Sequence, residues 1–423
     1  MSCGDRMCGD GGYVEDTGGS GDVRRVWDSG VDLDVLYCED ADLEGWVAEG
    51  MDADKAINPV IVNGNRYFRS GWLNEYGDLL VCEGNNTPLF SCGNLYYIRF
   101  TENPIRIRKV PRCGIPFDDY DIRAQFLCNG KDYIMYTLQW GRGYDFADYG
   151  IIRYNKSTGE VDRITNPDGV YRAASLACQT DRIFEFMDKP DHYDENGVFH
   201  IGFEREYYNL DRNIKKRLKL PMTNECGEDK VRGGISCLHQ DTYVEPFVYN
   251  EYVFFDGLIM GEPEEMRDCL WRYDTETDEL IPVLCLGTSY YWIQGYSPVS
   301  NYILPIEIHY RTREYPAGIL LFNTKTFEKR MITDDNSMLR GASLSGNILV
   351  YYKMDDYNTY ALDIETGVKR RVPLESDSGS EISGPGEIKG KYMITGYGGE
   401  YSMYWIVDLE KLGVIKDGHV VPE

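Results

Sequence analysis

The chain has 423 residues, with 70 Asp and Glu against 44 Lys and Arg, which gives a formal charge of -26. A surface this acidic repels phosphate and anionic lipid, so the sequence excludes nucleic-acid binding through the bulk surface. The longest apolar runs, such as 317–322 and 404–407, have the length of strands, and a membrane-spanning helix needs about 18 residues.

Residues 1–23 are rich in Gly and Asp and predict a flexible tether, followed by a single folded domain over 24–423. Cys8 with the Gly-Asp-Gly-Gly that follows it resembles the mature start of a bacterial lipoprotein, where a lipid-modified Cys anchors a soluble domain. That pattern requires an apolar segment before the Cys, and this sequence does not show one. Cys8 is the candidate lipid anchor, and a plain flexible tail is the alternative.

A hairpin motif then recurs along the chain: an apolar strand, an Asp or Asn, a polar turn and a second strand. We expect the Asp or Asn to cap its own turn and Gly to supply positive φ. Copies recur every 40 to 65 residues, which indicates a repeat architecture. The residues that begin them are Asn155, Asn209, Asp274, Asn323, Asp363 and Asp408, with a degenerate copy near Asn103.

Segments of small residues precede these hairpins, for example at 172–176, 340–344 and 383–386. Small side chains suit the crowded innermost strands of a propeller. The sequence therefore predicts an all-β fold, a β-propeller with seven blades, and six or eight blades are the alternatives. The predicted blades are 57–110, 120–166, 171–220, 231–285, 290–334, 338–374 and 381–416, with 24–50 as a closing strand or cap.

The turn phrase Asp363-Ile-Glu-Thr-Gly367 and its relatives resemble the turns of the TolB-like group of bacterial β-propellers, over residues 57–416. The resemblance implies a propeller of the cell envelope, since the group includes non-catalytic scaffolds there and propellers joined to peptidase domains. The chain has no Gly-x-Ser-x-Gly, and its Trp27-Asp28 lies outside the repeat, so neither a hydrolase elbow nor a WD40 repeat is indicated.

Four arginines, Arg123, Arg172, Arg232 and Arg340, head predicted innermost strands. In a closed ring these strand ends converge on one mouth of the channel, where guanidinium groups suit carboxylate or phosphate ligands. They are the candidate ligand-binding residues. The alternative is that each Arg pairs with an acid of a neighbouring blade and ties the blades together.

No residue pattern identifies a catalytic group. The five His show no metal-binding spacing, and the acidic loop 188–197 lacks the spacing of a calcium loop. The sequence therefore predicts no cofactor and no metal site, with calcium as the one cation considered.

The chain has 12 Cys and no CxxC pair, which favours disulfides over zinc, with buried free thiols as the alternative. The predicted disulfide cysteines pair with near neighbours in sequence. They are Cys82 with Cys92, Cys113 with Cys128, Cys226 with Cys237, and Cys269 with Cys285.

These features favour a non-catalytic, monomeric, extracytoplasmic protein, secreted or in the cell envelope. It is expected to bind a protein or glycan through a propeller face or the loop insertions 185–200 and 241–268, and to meet a membrane only through the lipid anchor. One alternative is a lyase or hydrolase acting on an anionic glycan in the central channel. The other is an intracellular interaction propeller with free thiols.

Overall fold

The computed structural model divides the chain into Met1–Leu36 and Tyr37–Glu423. It describes residues 37–68, 70–84, 92–114, 121–142, 145–163, 172–179, 182–193, 199–209, 212, 214–217, 222–223, 235–236, 247–259, 267–285, 291–293, 300–308, 316–334, 338–374, 386–397 and 402–423. The predicted tether and Cys8 lie outside these ranges. All regular elements within them are β-strands. In this part of the chain no helix meets the length and apolarity of a membrane span.

The first sheet is built from the N-terminal part of the described chain. Its strands and their neighbours are β1 (Tyr37–Cys38), β2 (Trp46–Val47), β3 (Ile57–Pro59), β4 (Tyr67–Phe68), β5 (Ser70–Leu73), β6 (Asp78–Gly84), β7 (Cys92–Arg99), β8 (Arg106–Lys109) and β9 (Cys113–Gly114). The sheet order is β2-β8-β7-β6-β5, and β1 pairs separately with β9.

Two four-stranded antiparallel sheets follow, each with its strands in chain order. The second sheet contains β10 (Asp121–Asn129), β11 (Tyr133–Arg142), β12 (Asp145–Asn155) and β13 (Val161–Arg163). The third contains β14 (Arg172–Gln179), β15 (Arg182–Tyr193), β16 (Phe199–Asn209) and β17 (Ile214–Arg217).

The fourth and fifth sheets occupy the next stretch. The fourth contains β18 (Met222–Thr223), β19 (Ile235–Ser236), β20 (Phe247–Tyr249), β21 (Tyr252–Ile259), β22 (Arg267–Asp274) and β23 (Leu280–Cys285). The fifth contains β24 (Tyr291–Ile293), β25 (Ile303–Ile308), β26 (Gly318–Asn323) and β27 (Lys329–Ile332). Both β19 and β20 pair with β21, so two separate segments share the innermost position of the fourth sheet.

The last two sheets and a small hairpin complete the chain. The sixth sheet contains β28 (Leu339–Ser345), β29 (Ile348–Lys353), β30 (Asn358–Asp363) and β31 (Lys369–Arg371). The seventh contains β32 (Gly386–Lys389), β33 (Tyr392–Tyr397) and β34 (Ser402–Asp408), and the hairpin is β35 (Ile415–Lys416) with β36 (His419–Val420). The described strands thus form seven successive sheets of four or more strands, in the order of the predicted blades, and the predicted β-propeller is confirmed.

An N-terminal strand closes the ring. β3 pairs antiparallel with β34, with Ile57 opposite Val407, and β32 of the same sheet contacts β5 of the first. The sequence placed residues 57–59 in the first blade, and that assignment is wrong. It offered 24–50 as a closing strand or a cap; of these residues, β2 pairs with β8 in the first sheet, and 24–36 lie outside the described residues. The pairing of β3 with β34 joins segments about 350 residues apart, which no local pattern reveals.

The core lies between neighbouring sheets. Leu270 and Leu284 of the fourth sheet pack with Leu304 and Leu320 of the fifth. Val350 of the sixth sheet shares a cluster with residues of the seventh and of the C-terminal hairpin. Apolar burial against the neighbouring sheet therefore stabilises these described blades.

The predicted hairpin turns are present. Asn155 Oδ1 accepts hydrogen bonds from the N–H groups of Ser157 at 2.9 Å and Thr158 at 3.0 Å. The same two bonds form at Asp274, Asn323, Asp363 and Asp408. Gly159 closes the first of these turns with a φ of 75°. The Asp or Asn caps the turn, as its chemistry predicts.

Basic side chains of one blade bind the next blade's turn. Each donates to a backbone carbonyl: Lys216 to Thr275 at 3.0 Å, Arg272 to Thr324 at 2.9 Å, Arg330 to Ile364, and Arg370 to Gly413 at 2.7 Å. Three of these donors belong to outer strands, so the described blade-to-blade contacts of this kind lie near the rim of the ring.

In two disulfides, both cysteines lie within the described residues. Cys269–Cys285 joins β22 to β23, as predicted. Cys113 bonds Cys38, so its predicted pairing with Cys128 is wrong: β1 runs beside β9 and places Cys38 directly opposite, with the two Cα atoms 4.0 Å apart. Cys82 and Cys128 are also disulfide-bonded. Cys226 and Cys237 lie outside the described residues, and the pairing of Cys82 with Cys92 stays a prediction.

Candidate functional site

The innermost strands bring the predicted arginine positions to one side of the ring. β10, β14 and β28 each form an edge of their sheet, and β10 contacts β14 just as β28 contacts β32. Equivalent strands of a propeller run in the same direction, so they begin at the same mouth of the channel. We call this side the arginine-bearing face.

The backbone register places two arginines at the same level. Arg123 lies opposite the seventh residue of β11, and Arg172 lies opposite the seventh residue of β15. Arg340 lies opposite the fifth residue of β29, which is two residues nearer the hairpin that joins β28 to β29. Arg232 lies outside the described residues. The arginines therefore share a face without sharing one ring level.

Arg340 is half-buried at the start of β28. Its Nε donates to the thioether of Met338 at 3.1 Å. Among the described residues, no Asp or Glu carboxylate lies within 4.0 Å of its guanidinium. Arg99 and Arg108, in contrast, form ion pairs with Asp78 and Glu102.

The third sheet extends further on this face than the sixth sheet. Its hairpin strands β15 and β16 have 12 and 11 residues, whereas β29 and β30 of the sixth sheet have 6 each. Five additional residues along β16 correspond to roughly 17 Å at about 3.4 Å per residue. The described parts of the predicted insertion, 185–193 and 199–200, lie at the ends of β15 and β16 on the side of Arg172, which pairs with Asp188 in the ladder.

The sequence did not reveal a buried ion pair between the first and second sheets. The Lys156 ammonium donates to Asp78 Oδ2 at 2.8 Å, Asn129 Oδ1 at 2.9 Å and the Gly130 carbonyl at 2.7 Å. Its side chain is 1% exposed and that of Asp78 is 3% exposed. Burial lowers the pKa of Lys156, and the adjacent Asp78 carboxylate opposes that shift. Three oxygens hold the cation inside the protein, so this cluster stabilises the junction and is closed to a ligand.

No ligand group of the kind that holds a metal ion in proteins occurs among the described residues. There, no group of three or more His, Cys, Asp or Glu side chains is placed to hold a metal ion. We therefore assign no metal-dependent step to the described residues.

The seven sheets and the closing strand define a β-propeller with an arginine-bearing face. No family model and no curated protein matches the chain. Among solved structures it is similar to an oligogalacturonate lyase in complex with manganese, at 11% identity and a TM-score of 0.47, over 89% of this chain and 99% of that one.

Two further structures are similar over much of the chain. An oligogalacturonate lyase from Vibrio parahaemolyticus is 11% identical, with a TM-score of 0.43, over 91% of this chain and 98% of that one. Dipeptidyl peptidase 4 of Porphyromonas gingivalis is 10% identical, with a TM-score of 0.42, over 78% of this chain and 49% of that one. These likenesses are too remote to assign an activity.

Proposed function

We propose that this protein is a non-catalytic, extracytoplasmic β-propeller that binds an acidic protein or glycan through its arginine-bearing face. The observation that carries the proposal is the half-buried Arg340 guanidinium, which has no described carboxylate within 4.0 Å. Holding a charge partly out of water without a partner costs free energy. A carboxylate of the bound partner supplies the missing bidentate hydrogen bonds.

The other predicted arginines extend the same site. Arg123 and Arg172 begin neighbouring inner strands at one ladder level, and we place Arg232 in the set by its position in the repeat. In a protein of charge -26, such a cluster is a local attraction for acidic groups. The tall third-sheet hairpin on this face offers further contact surface.

The disulfides support an extracytoplasmic location, because such bonds persist in oxidising compartments. The TolB-like resemblance fits the same location. Anchoring through a lipid on Cys8 and a monomeric state belong to this proposal.

The test is binding of two acidic probes, a heptaglutamate peptide and trigalacturonate, measured by calorimetry at low salt. Arg340→Met and Arg172→Met should each weaken binding about tenfold, as loss of a charged hydrogen bond predicts. Arg153→Met is the matched control, since Arg153 already pairs with Asp162 at the opposite end of its blade.

Two results contradict the proposal. Wild-type affinity in both Arg340→Met and Arg172→Met excludes the arginine-bearing face as the site. Turnover of trigalacturonate that these substitutions abolish makes the protein an enzyme on an anionic glycan.

A further inference from the structure

The hairpin between β29 and β30 presents the most exposed large apolar side chain in the described chain. Tyr357 is 65% exposed, and its backbone has a φ of 57°. Positive φ is unfavourable for a bulky side chain, and such strain concentrates at functional sites. β29 runs antiparallel to β28, so this hairpin tip lies on the arginine-bearing face.

Two other aromatic residues with positive φ are explained by contacts within the fold. Lys325 lies over the ring of Tyr302, 4.6 Å from its centroid. Arg272 of the neighbouring sheet lies 5.3 Å from the ring centroid of Phe327. These cation–π contacts offset the backbone cost at both positions.

No comparable contact holds Tyr357 among the described residues. Its ring meets that of Tyr352 edge-on, with the centroids 6.5 Å apart, and faces solvent elsewhere. Asn or Gly would adopt this backbone more easily. The packing of the fold therefore does not explain a Tyr at position 357.

Tyr357 continues a row that begins at Arg340. Arg340 lies opposite Tyr352 in the ladder, so both side chains stand on one face of the sixth sheet. The Tyr352 ring in turn contacts Tyr357. Exposure rises from 8% at Tyr352 to 65% at Tyr357. The row leads from the Arg340 guanidinium to an aromatic ring in solvent.

We infer that Tyr357 is a contact residue of the partner site, and that the partner is a protein presenting an apolar side chain to Tyr357 and a carboxylate to Arg340. The inference rests on the proposed function. Tyr and Arg are the residue types that dominate protein interfaces. Asp355 and Asp356 immediately precede Tyr357, and their carboxylates repel a glycan with an acid on every ring, whereas a protein places one acid beside an apolar group.

Ligand-observed NMR titrations of two peptides test this contact. The peptides carry one Glu beside a central Leu or a central Ala, and trigalacturonate is the third probe. Tyr357→Asn should weaken the Leu peptide about tenfold, leave the Ala peptide unchanged, and keep or raise the melting temperature. Arg340→Met should weaken both peptides. Tyr76→Asn, which alters a 39% exposed Tyr in the turn between β5 and β6 on the other side of the ring, is the control.

The outcomes separate the two proposals. If Tyr357→Asn binds both peptides like wild type while Arg340→Met binds them less tightly, the inference is wrong and the proposed function stands. If Arg340→Met and Arg172→Met also bind both peptides like wild type, the proposed function is wrong. Binding of trigalacturonate without either peptide refutes the protein partner. A lowered melting temperature for Tyr357→Asn shows that the ring is structural and overturns the inference.

Discussion

Replacing Lys156 with Met should destabilise the junction between the first and second sheets. Met keeps most of the aliphatic chain but removes the ammonium, leaving Asp78, Asn129 and the Gly130 carbonyl without their shared donor. Removing one partner of a buried ion pair costs about 3 to 5 kcal/mol. Arg99 still pairs with Asp78 at 3.0 Å, so we expect the lower end, about 3 kcal/mol.

The assay is urea unfolding followed by intrinsic fluorescence. Lys109→Met is the control, because Lys109 pairs with Glu39 in an exposed setting, with side chains 34% and 45% exposed. An exposed pair contributes about 0 to 1 kcal/mol. Equal small losses in the two variants would refute the reasoning. A second readout is rescue: ethylammonium should stabilise Lys156→Ala more than sodium does, since the oxygen cage is built for an ammonium.

Two further predictions concern the Cys38–Cys113 disulfide and the stability of the protein at acidic pH. Cys113→Ser removes the bond to Cys38, which spans 75 residues, and should lower the free energy of unfolding by about 4 kcal/mol in the chain-entropy model. Urea unfolding without reductant measures this loss, and a free energy of unfolding equal to that of the wild type would contradict the prediction. For Asp363, burial raises the pKa, but hydrogen bonds from Thr366, His419 and Glu365 outweigh it and hold the pKa below its ordinary value. The contribution of Asp363 to the free energy of unfolding is therefore complete above the ordinary Asp pKa, and it is lost as the pH falls through the folded-state pKa. Asp363→Asn, which keeps the turn cap, should flatten the loss of thermal stability between about pH 5 and pH 3, and an unchanged profile would contradict the assignment.

The local parts of the fold could be predicted from the sequence. At Asn155 and Asp363, one side chain caps the N–H groups two and three residues later, and this chemistry needs no knowledge of distant segments. The repeated turns therefore gave the all-β class and the order of the blades. The pairing of Cys269 with Cys285 was predictable for the same reason, because one hairpin holds both residues.

Features that depend on distant segments could not be predicted. Cys38 meets Cys113, and Ile57 meets Val407, only because the ring brings the segments together. The same holds for His192 and His200, which lie opposite each other in the ladder of β15 and β16, although their sequence spacing indicates no pair. For the candidate site, the sequence identified Arg340 but not Tyr357, since neither backbone strain nor exposure can be read from residue types.

The covalent bond between Cys38 and Cys113 also determines how the ring responds to mechanical load. A pull on the N-terminal end of the chain reaches Cys38 first and passes across the disulfide to Cys113 in β9, which follows the last strand of the first sheet in the chain. The closing strand, Ile57–Pro59, lies inside the covalent loop and receives no tension by this path. Tension applied to the N-terminus therefore does not separate the closing strand from β34, as long as the disulfide is intact.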